Sequence, residues 1–185
     1  MTTQSDLQRH LRTLASNAGV TINAKGKALD QNQKPCTQAN LLCLLGQEVT
    51  KEFSAGAGNE LESKMASVYS SSACAVNFFE YWRQKNEVDT IALALGYDAK
   101  GYSLAFEQKR PTGFGGTSPH LDVELSGPWP VGIEAKLQEP WGTVTNDFKN
   151  TYFTHAKAKW WSEMPGGLQL ARALDDGVVR YTHLH

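Results

Sequence analysis

Asp122, Glu134 and Lys136 are the residues of this chain whose types and spacing could do chemistry together. They lie in two short runs, Pro119-His120-Leu121-Asp122-Val123-Glu124-Leu125 and Val131-Gly132-Ile133-Glu134-Ala135-Lys136-Leu137. In both, apolar and polar residues alternate, the pattern of a half-buried strand. The intervening Ser126-Gly127-Pro128-Trp129-Pro130 reads as a turn, so the runs are expected to pair as an antiparallel hairpin. On such a hairpin the apolar residues share one face, and Asp122, Glu134 and Lys136 share the other. Two carboxylates at close range repel each other and favour a hard divalent cation between them. Mg²⁺ suits best, with Mn²⁺ as a substitute, because it takes one or two carboxylates and keeps its other positions for water and phosphate oxygens. A lysine beside the cation can orient an attacking water or stabilise charge building on a phosphoryl group. The trio therefore fits metal-dependent hydrolysis of a phosphodiester. The same residues also allow a plain solvated face, with Lys136 and Asp122 as a cross-strand ion pair.

The elements that must position this trio are legible in outline. Residues 102–108 (Tyr102 to Gln108) read as a further strand, with Glu107 either near the site or simply exposed at a strand end. Asn59 to Arg83 carries Leu61, Met65, Val68, Ser72, Ala75, Val76 and Phe79 at three- and four-residue steps, the period of one long helix. Asn59 is its expected N-cap, with Glu62 completing a capping box, which leaves Glu60 the freer carboxylate. Glu60 either faces the site or complements the helix dipole. Ser70-Ser71-Ser72 reads as small residues for close packing, since no acid or base partner is evident beside them. His120 is either a substrate contact or a hydrogen-bonded structural histidine.

Earlier in the chain, residues 4–17 suggest an amphipathic helix through Leu7, Leu11 and Leu14. Residues 18–38 suggest a loop or weak hairpin, and Asn40 to Phe53 a helix broken or capped near Gly46. Residues 88–95 form another apolar segment. Beyond the hairpin, Tyr152 to Trp161 mixes aromatics with Lys157 and Lys159, as core or as a nucleic-acid groove, and Leu168 to Leu174 suggests a short helix.

Pro119-His120-Leu121-Asp122, followed twelve residues after the aspartate by Glu134-Ala135-Lys136, resembles the PD-(D/E)xK nuclease superfamily of restriction endonuclease-like fold. Gly58-Asn59-Glu60-Leu61 through Ser70 to Asn77, and Gly113-Phe114-Gly115-Gly116-Thr117-Ser118-Pro119-His120, look like one uncharacterised bacterial branch of it. The similarity runs from about Gln38 to Gly142. The proline that the family sets directly before its aspartate is displaced here, because His120 and Leu121 intervene. The resemblance implies an α/β fold with a mixed central sheet flanked by helices. It further implies a Mg²⁺ held by Asp122, Glu134 and the Ala135 carbonyl, with Lys136 positioning water and Glu60 as an auxiliary ligand. DNA, most readily double-stranded, is the implied substrate, and a homodimer is compatible with cutting both strands. The superfamily core continues into a closing helix and strand. Either residues 151–185 supply that closure in unusual form or the chain is a truncated member.

Composition bounds the rest. The chain has 185 residues, 41% hydrophobic and 20% charged, with a net charge of −1, as expected of a single globular domain. We divide it into a helical N-terminal extension (1–53), a core with the D…ExK site (54–140) and a C-terminal helical segment (141–185). No overall basic excess marks a nonspecific nucleic-acid binder, although cations can gather at one groove. Cys36, Cys43 and Cys74 are odd in number and lack metal-ligand spacing, which fits reduced thiols and a cytoplasmic setting. No signal core or membrane span is evident. Two other readings remain: a catalytically inactive nuclease-like protein that binds DNA or regulates, and a glycoside hydrolase using Asp122 and Glu134 as acid and base.

Overall fold

The structure is a computed structural model that describes residues 3–56, 59–111 and 118–138, residue 63 by its backbone alone. The glycine-rich approach at 113–117, the strand stop at 139–142, the aromatic and basic segment at 152–161, the helix at 168–174 and the C-terminal closure lie outside the described residues. The chain divides into two units, Met1–Lys109 with His120–Gln138, and Arg110–Pro119 with Glu139–His185. The first unit carries all that follows. In the second, the Arg110 N–H donates to the Pro119 carbonyl at 2.8 Å.

Helix α1 (Gln4–Asn17) forms where expected, because Thr3 and Asp6 cap it reciprocally: each side chain accepts the other's backbone N–H. Residues 18–36 make the weak hairpin, held by isolated bridges at Ile22–Ala28 and Leu29–Pro35. The next helix starts later than its leucines suggest. Residues 38–40 make only a 3₁₀ turn, and α2 runs from Gln47 to Ala55 with Gly46 as its N-cap. Side chains take the intervening backbone groups. Asn77 Oδ1 accepts from the Leu42 N–H at 2.7 Å, and Gln38 bonds both the Leu45 N–H and the Cys43 carbonyl. A helix over 40–45 would need those same groups.

The expected single helix over 59–83 is two elements. Glu60–Lys64 closes one π-type turn, with the Met65 N–H on the Glu60 carbonyl at 2.9 Å. The chain then breaks, and α3 runs from Ser71 to Gln84. Asn59 makes no side-chain cap, so the expected capping box does not form; Ser70 caps α3 instead, accepting from the Ala73 N–H. The break has a cause distant in sequence. The Ala66 carbonyl accepts from Ala28, the Val68 N–H donates to Gly26, and Asn40 Nδ2 bonds the Met65 and Ser67 carbonyls. Backbone groups spent on the hairpin cannot also close helical turns.

Helix α4 (Val88–Ala94) leads to a three-stranded antiparallel sheet of β1 (Ser103–Lys109), β2 (His120–Ser126) and β3 (Val131–Ile133), in that order. Helices against this sheet give the α/β class. The sequence suggested a mixed sheet; the described strands all pair antiparallel. The core sits between the helices and one sheet face, with Val49, Met65, Val76, Phe106, Val123 and Leu125 fully enclosed. The Phe53 ring of α2 tilts against Phe106 at 5.7 Å between centroids. Beside it Arg83 of α3 bonds Glu52 at 3.0 Å, Glu80 at 2.7 Å and the Leu104 carbonyl at 3.3 Å, and stacks over the Phe106 ring at 5.0 Å. This cation ties α2, α3 and β1 together.

Candidate active site

The hairpin pairs Val123 with Ile133, Glu124 with Gly132 and Leu125 with Val131. That register would place Glu134 opposite Asp122, but β3 stops at Ile133 and does not extend to residue 138. The reason is the aspartate itself. Its Oδ2 accepts the Ala135 N–H at 2.6 Å, so a side chain replaces the backbone partner that a longer strand would need. The bond also fixes the Asp122 carboxylate beside the Glu134–Ala135 peptide. Lys136 Nζ bonds Glu134 Oε1, and both side chains are about one-third exposed (28% and 36%). Lys136 thus pairs with Glu134, two residues back on the same segment.

The expected separation of faces holds for only part of the hairpin. Val123 and Leu125 enter the core, with Val131, Ile133 and Ala135 packed against it. Leu121 does not join them; its methyl carbons crowd Gly132, where an added Cβ would lie 2.9 Å from Leu121 Cδ1. The pleat is disturbed at one rung, between β1 and the start of β2. Phe106 pairs with Val123 and Gln108 with Leu121, which sets Glu107 opposite Asp122. Glu107 has φ +53°, a left-handed conformation uncommon for a glutamate inside a strand. A regular pleat would send Phe106 and Glu107 to opposite faces. Here both reach α2: Phe106 through Phe53, and Glu107 through its C-cap Gly56, where an added Cβ would stand 3.1 Å from Glu107 Oε2.

Glu107 therefore stands beside Asp122 and is not an exposed strand end. Its side chain is 12% exposed, and Oε2 lies 3.2 Å from Nδ1 of His120. Burial above all pushes its carboxyl above the ordinary value of 4.5; the His120 hydrogen bond opposes the rise, and the charges of Asp122 and Glu60 add to it. His120 is the hydrogen-bonded histidine that one reading of the sequence expected. Glu60 stands in the π turn before α3, bonded to Lys64 at 2.8 Å and to Ser72 Oγ at 3.2 Å.

The three serines do more than pack. Ser70 caps α3, Ser71 Oγ accepts the Leu137 N–H at 3.2 Å just past Lys136, and Ser72 donates to Glu60. Composition and spacing gave no sign of these roles. Pairing the 103–109 strand with β2 and reading the residue opposite Asp122 would have decided between the two readings of Glu107.

The assembled groups thus comprise Asp122 and Glu134 flanking one peptide, Glu107 facing Asp122, and Glu60 near enough for its charge to be felt. Among the described residues, no group of three or more His, Cys, Asp and Glu side chains is arranged to hold a metal ion. Two carboxylates and a carbonyl still suit Mg²⁺, which retains several waters and needs no complete protein cage.

Helices packed on an antiparallel sheet make this an α/β protein, consistent with a restriction endonuclease-like fold. Over residues 5–175 the sequence matches the family described as restriction endonuclease associating with ARP. The chain belongs to that family, and membership points to a nuclease-like function with DNA as substrate. No curated protein and no solved structure matches the chain. Among the described residues, no helix is long and apolar enough to cross a membrane.

Proposed function

We propose that the chain is a Mg²⁺-dependent endonuclease that hydrolyses DNA phosphodiester bonds at the D…ExK site. The observation that carries this reading is the 2.6 Å bond from the Ala135 N–H to Asp122 Oδ2, which brings the aspartate onto the Glu-Ala-Lys segment. Asp122 and Glu134, with the Ala135 carbonyl, would hold the cation, and Mn²⁺ could replace it. The cation supplies Lewis-acid activation of the phosphoryl group and of water. Lys136 exchanges its Glu134 partner for the attacking water or the developing phosphoryl charge. Glu60, kept in place by Ser72 and Lys64, orients groups at the rim. Glu107 keeps His120 in one orientation through Nδ1. The reading includes association of two copies to cut both strands and a cytoplasmic location.

The deciding experiment is cleavage of plasmid and single-stranded DNA with Mg²⁺, Mn²⁺ or EDTA, using wild type beside Asp122→Ala and Lys136→Ala. Metal-dependent cutting that both substitutions abolish is the expected result. A folded wild type that binds DNA and cuts neither substrate with either metal would replace this reading with that of a non-catalytic DNA-binding or regulatory protein.

A further inference from the structure

The segment that carries Lys136 is gripped on its far side by the N-terminal helix. Gln138 Oε1 accepts from Gln8 Nε2 at 2.8 Å and from Gln4 Nε2 at 3.1 Å, one helical turn apart on α1. The other end of the same amide, Nε2, donates to the Tyr69 carbonyl at 3.3 Å. One residue earlier, the Leu137 N–H reaches Ser71. Tyr69 is itself held by α1, since Arg12 Nε donates to its hydroxyl and the guanidinium lies 5.8 Å from its ring centroid. Helix α1 has no fully buried residue. These polar bonds join it to the segment that follows Lys136.

We infer that Gln138 is a positioning residue for Lys136, and that α1 acts through it as a clamp on the Glu-Ala-Lys segment. The role attributed to Lys136 rests on the nuclease reading; the clamp itself does not. The strand ladder ends at Ile133, and the segment after it is met by side chains from three other parts of the fold. Its course is fixed by side chains: Asp122 at Ala135, Ser71 at Leu137, and the Gln4, Gln8 and Tyr69 bonds at Gln138. Removing the Gln138 bonds takes away the tether that lies two residues beyond the lysine. A catalytic amine displaced by about 1 Å can cost as much as 100-fold in rate. A partial loosening by loss of two exposed or half-buried hydrogen bonds is expected to cost about tenfold.

The test uses the full chain and three variants: Gln138→Leu, the double variant Gln4→Ala/Gln8→Ala, and Gln138→Glu. The double variant breaks the clamp from α1 without touching the site segment. Glutamate keeps the acceptor for Gln4 and Gln8 and loses the donor to Tyr69. Amide hydrogen exchange over residues 134–138 is expected to speed about tenfold in Gln138→Leu and in the double variant, with α3 unchanged, and to stay near wild type in Gln138→Glu. In cleavage assays the first two should lose about tenfold in kcat with KM within twofold, while Gln138→Glu recovers most of the rate. Exchange unchanged in both loosening variants, or faster equally throughout α3, overturns the clamp. Loosened exchange with wild-type kcat overturns the positioning role. If the wild type cuts no DNA, the nuclease reading fails, and the exchange result alone still decides whether α1 holds this segment.

Discussion

Strand β1 carries two buried polar clusters, and they are resolved in opposite ways. At Leu104 and Phe106 the cluster has a cation at its centre: Arg83 bonds Glu52 and Glu80, touches a carbonyl, and lies over an aromatic ring. One residue further along, at Glu107, the centre is carboxylate. Glu107 faces Asp122 and feels Glu60, while the cationic partners stand outside, Lys64 on Glu60 and Lys136 on Glu134. The first arrangement uses its charge to join three elements. The second gathers carboxyl groups at the centre and leaves its lysines at the rim. The backbone reports the same contrast, since the strand is regular at Phe106 and left-handed at Glu107.

Breaking the first cluster should have the largest effect on stability. Arg83→Met leaves Glu52 and Glu80 buried without their cation, and is expected to cost about 3–5 kcal/mol in denaturant unfolding. Breaking the second should act on activity instead. Asp122→Asn removes the charge of a proposed ligand and is expected to lower cleavage about 100-fold or more, with the unfolding midpoint unchanged or raised. A large loss of stability in Asp122→Asn would mean that the two clusters are alike.

Glu107→Gln sharpens the contrast through pH. In the folded protein the Glu107 carboxyl lies above its ordinary 4.5, so the folded state binds its proton more tightly than the unfolded chain does. Stability from this group is present below pH 4.5 and is lost as pH rises through the folded value. Burial raises Glu52 as well, so wild-type stability should fall over that window for both reasons. Glu107→Gln removes one contribution. Its stability against pH should be flatter above 4.5 than that of the wild type. An unchanged slope would show that the carboxylate is not disfavoured by its surroundings. The smallest effect is expected of Ser72→Ala, which frees one bond to Glu60: about 1 kcal/mol or less in stability, read by thermal unfolding, with DNA binding retained.

Much of this was legible in the sequence where local pattern and tertiary packing agree. Strand β2, the turn after it and α1 follow from alternation, Gly and Pro placement, and the helical spacing of leucines. The approach of Asp122 to the Glu-Ala-Lys segment followed from the hairpin alone. What escaped was decided by partners distant in the chain. The break before α3 follows from Ala28, Gly26 and Asn40 taking the backbone of 65–68, and helical periodicity carries no record of that. Strand β3 is short because an aspartate side chain takes a ladder donor. The choice between the two readings of Glu107 stayed open because glutamate has no marked preference for the left-handed region that it occupies.

The Ser70-Ser71-Ser72 run has a consequence for how this protein can vary. Three adjacent hydroxyls serve three directions: the start of a helix, the segment after Lys136, and the acid of the π turn. On a helix each residue turns by about 100° from the last, so the directions are fixed by position in the chain and not by composition. Inserting or deleting a single residue here would preserve the serine-rich character and misdirect the hydroxyls together. Exchange of one serine for another small residue costs one bond, whereas a change of length costs the set. Sequence variation at this place is therefore expected to be substitution, with indels confined to the loops on either side.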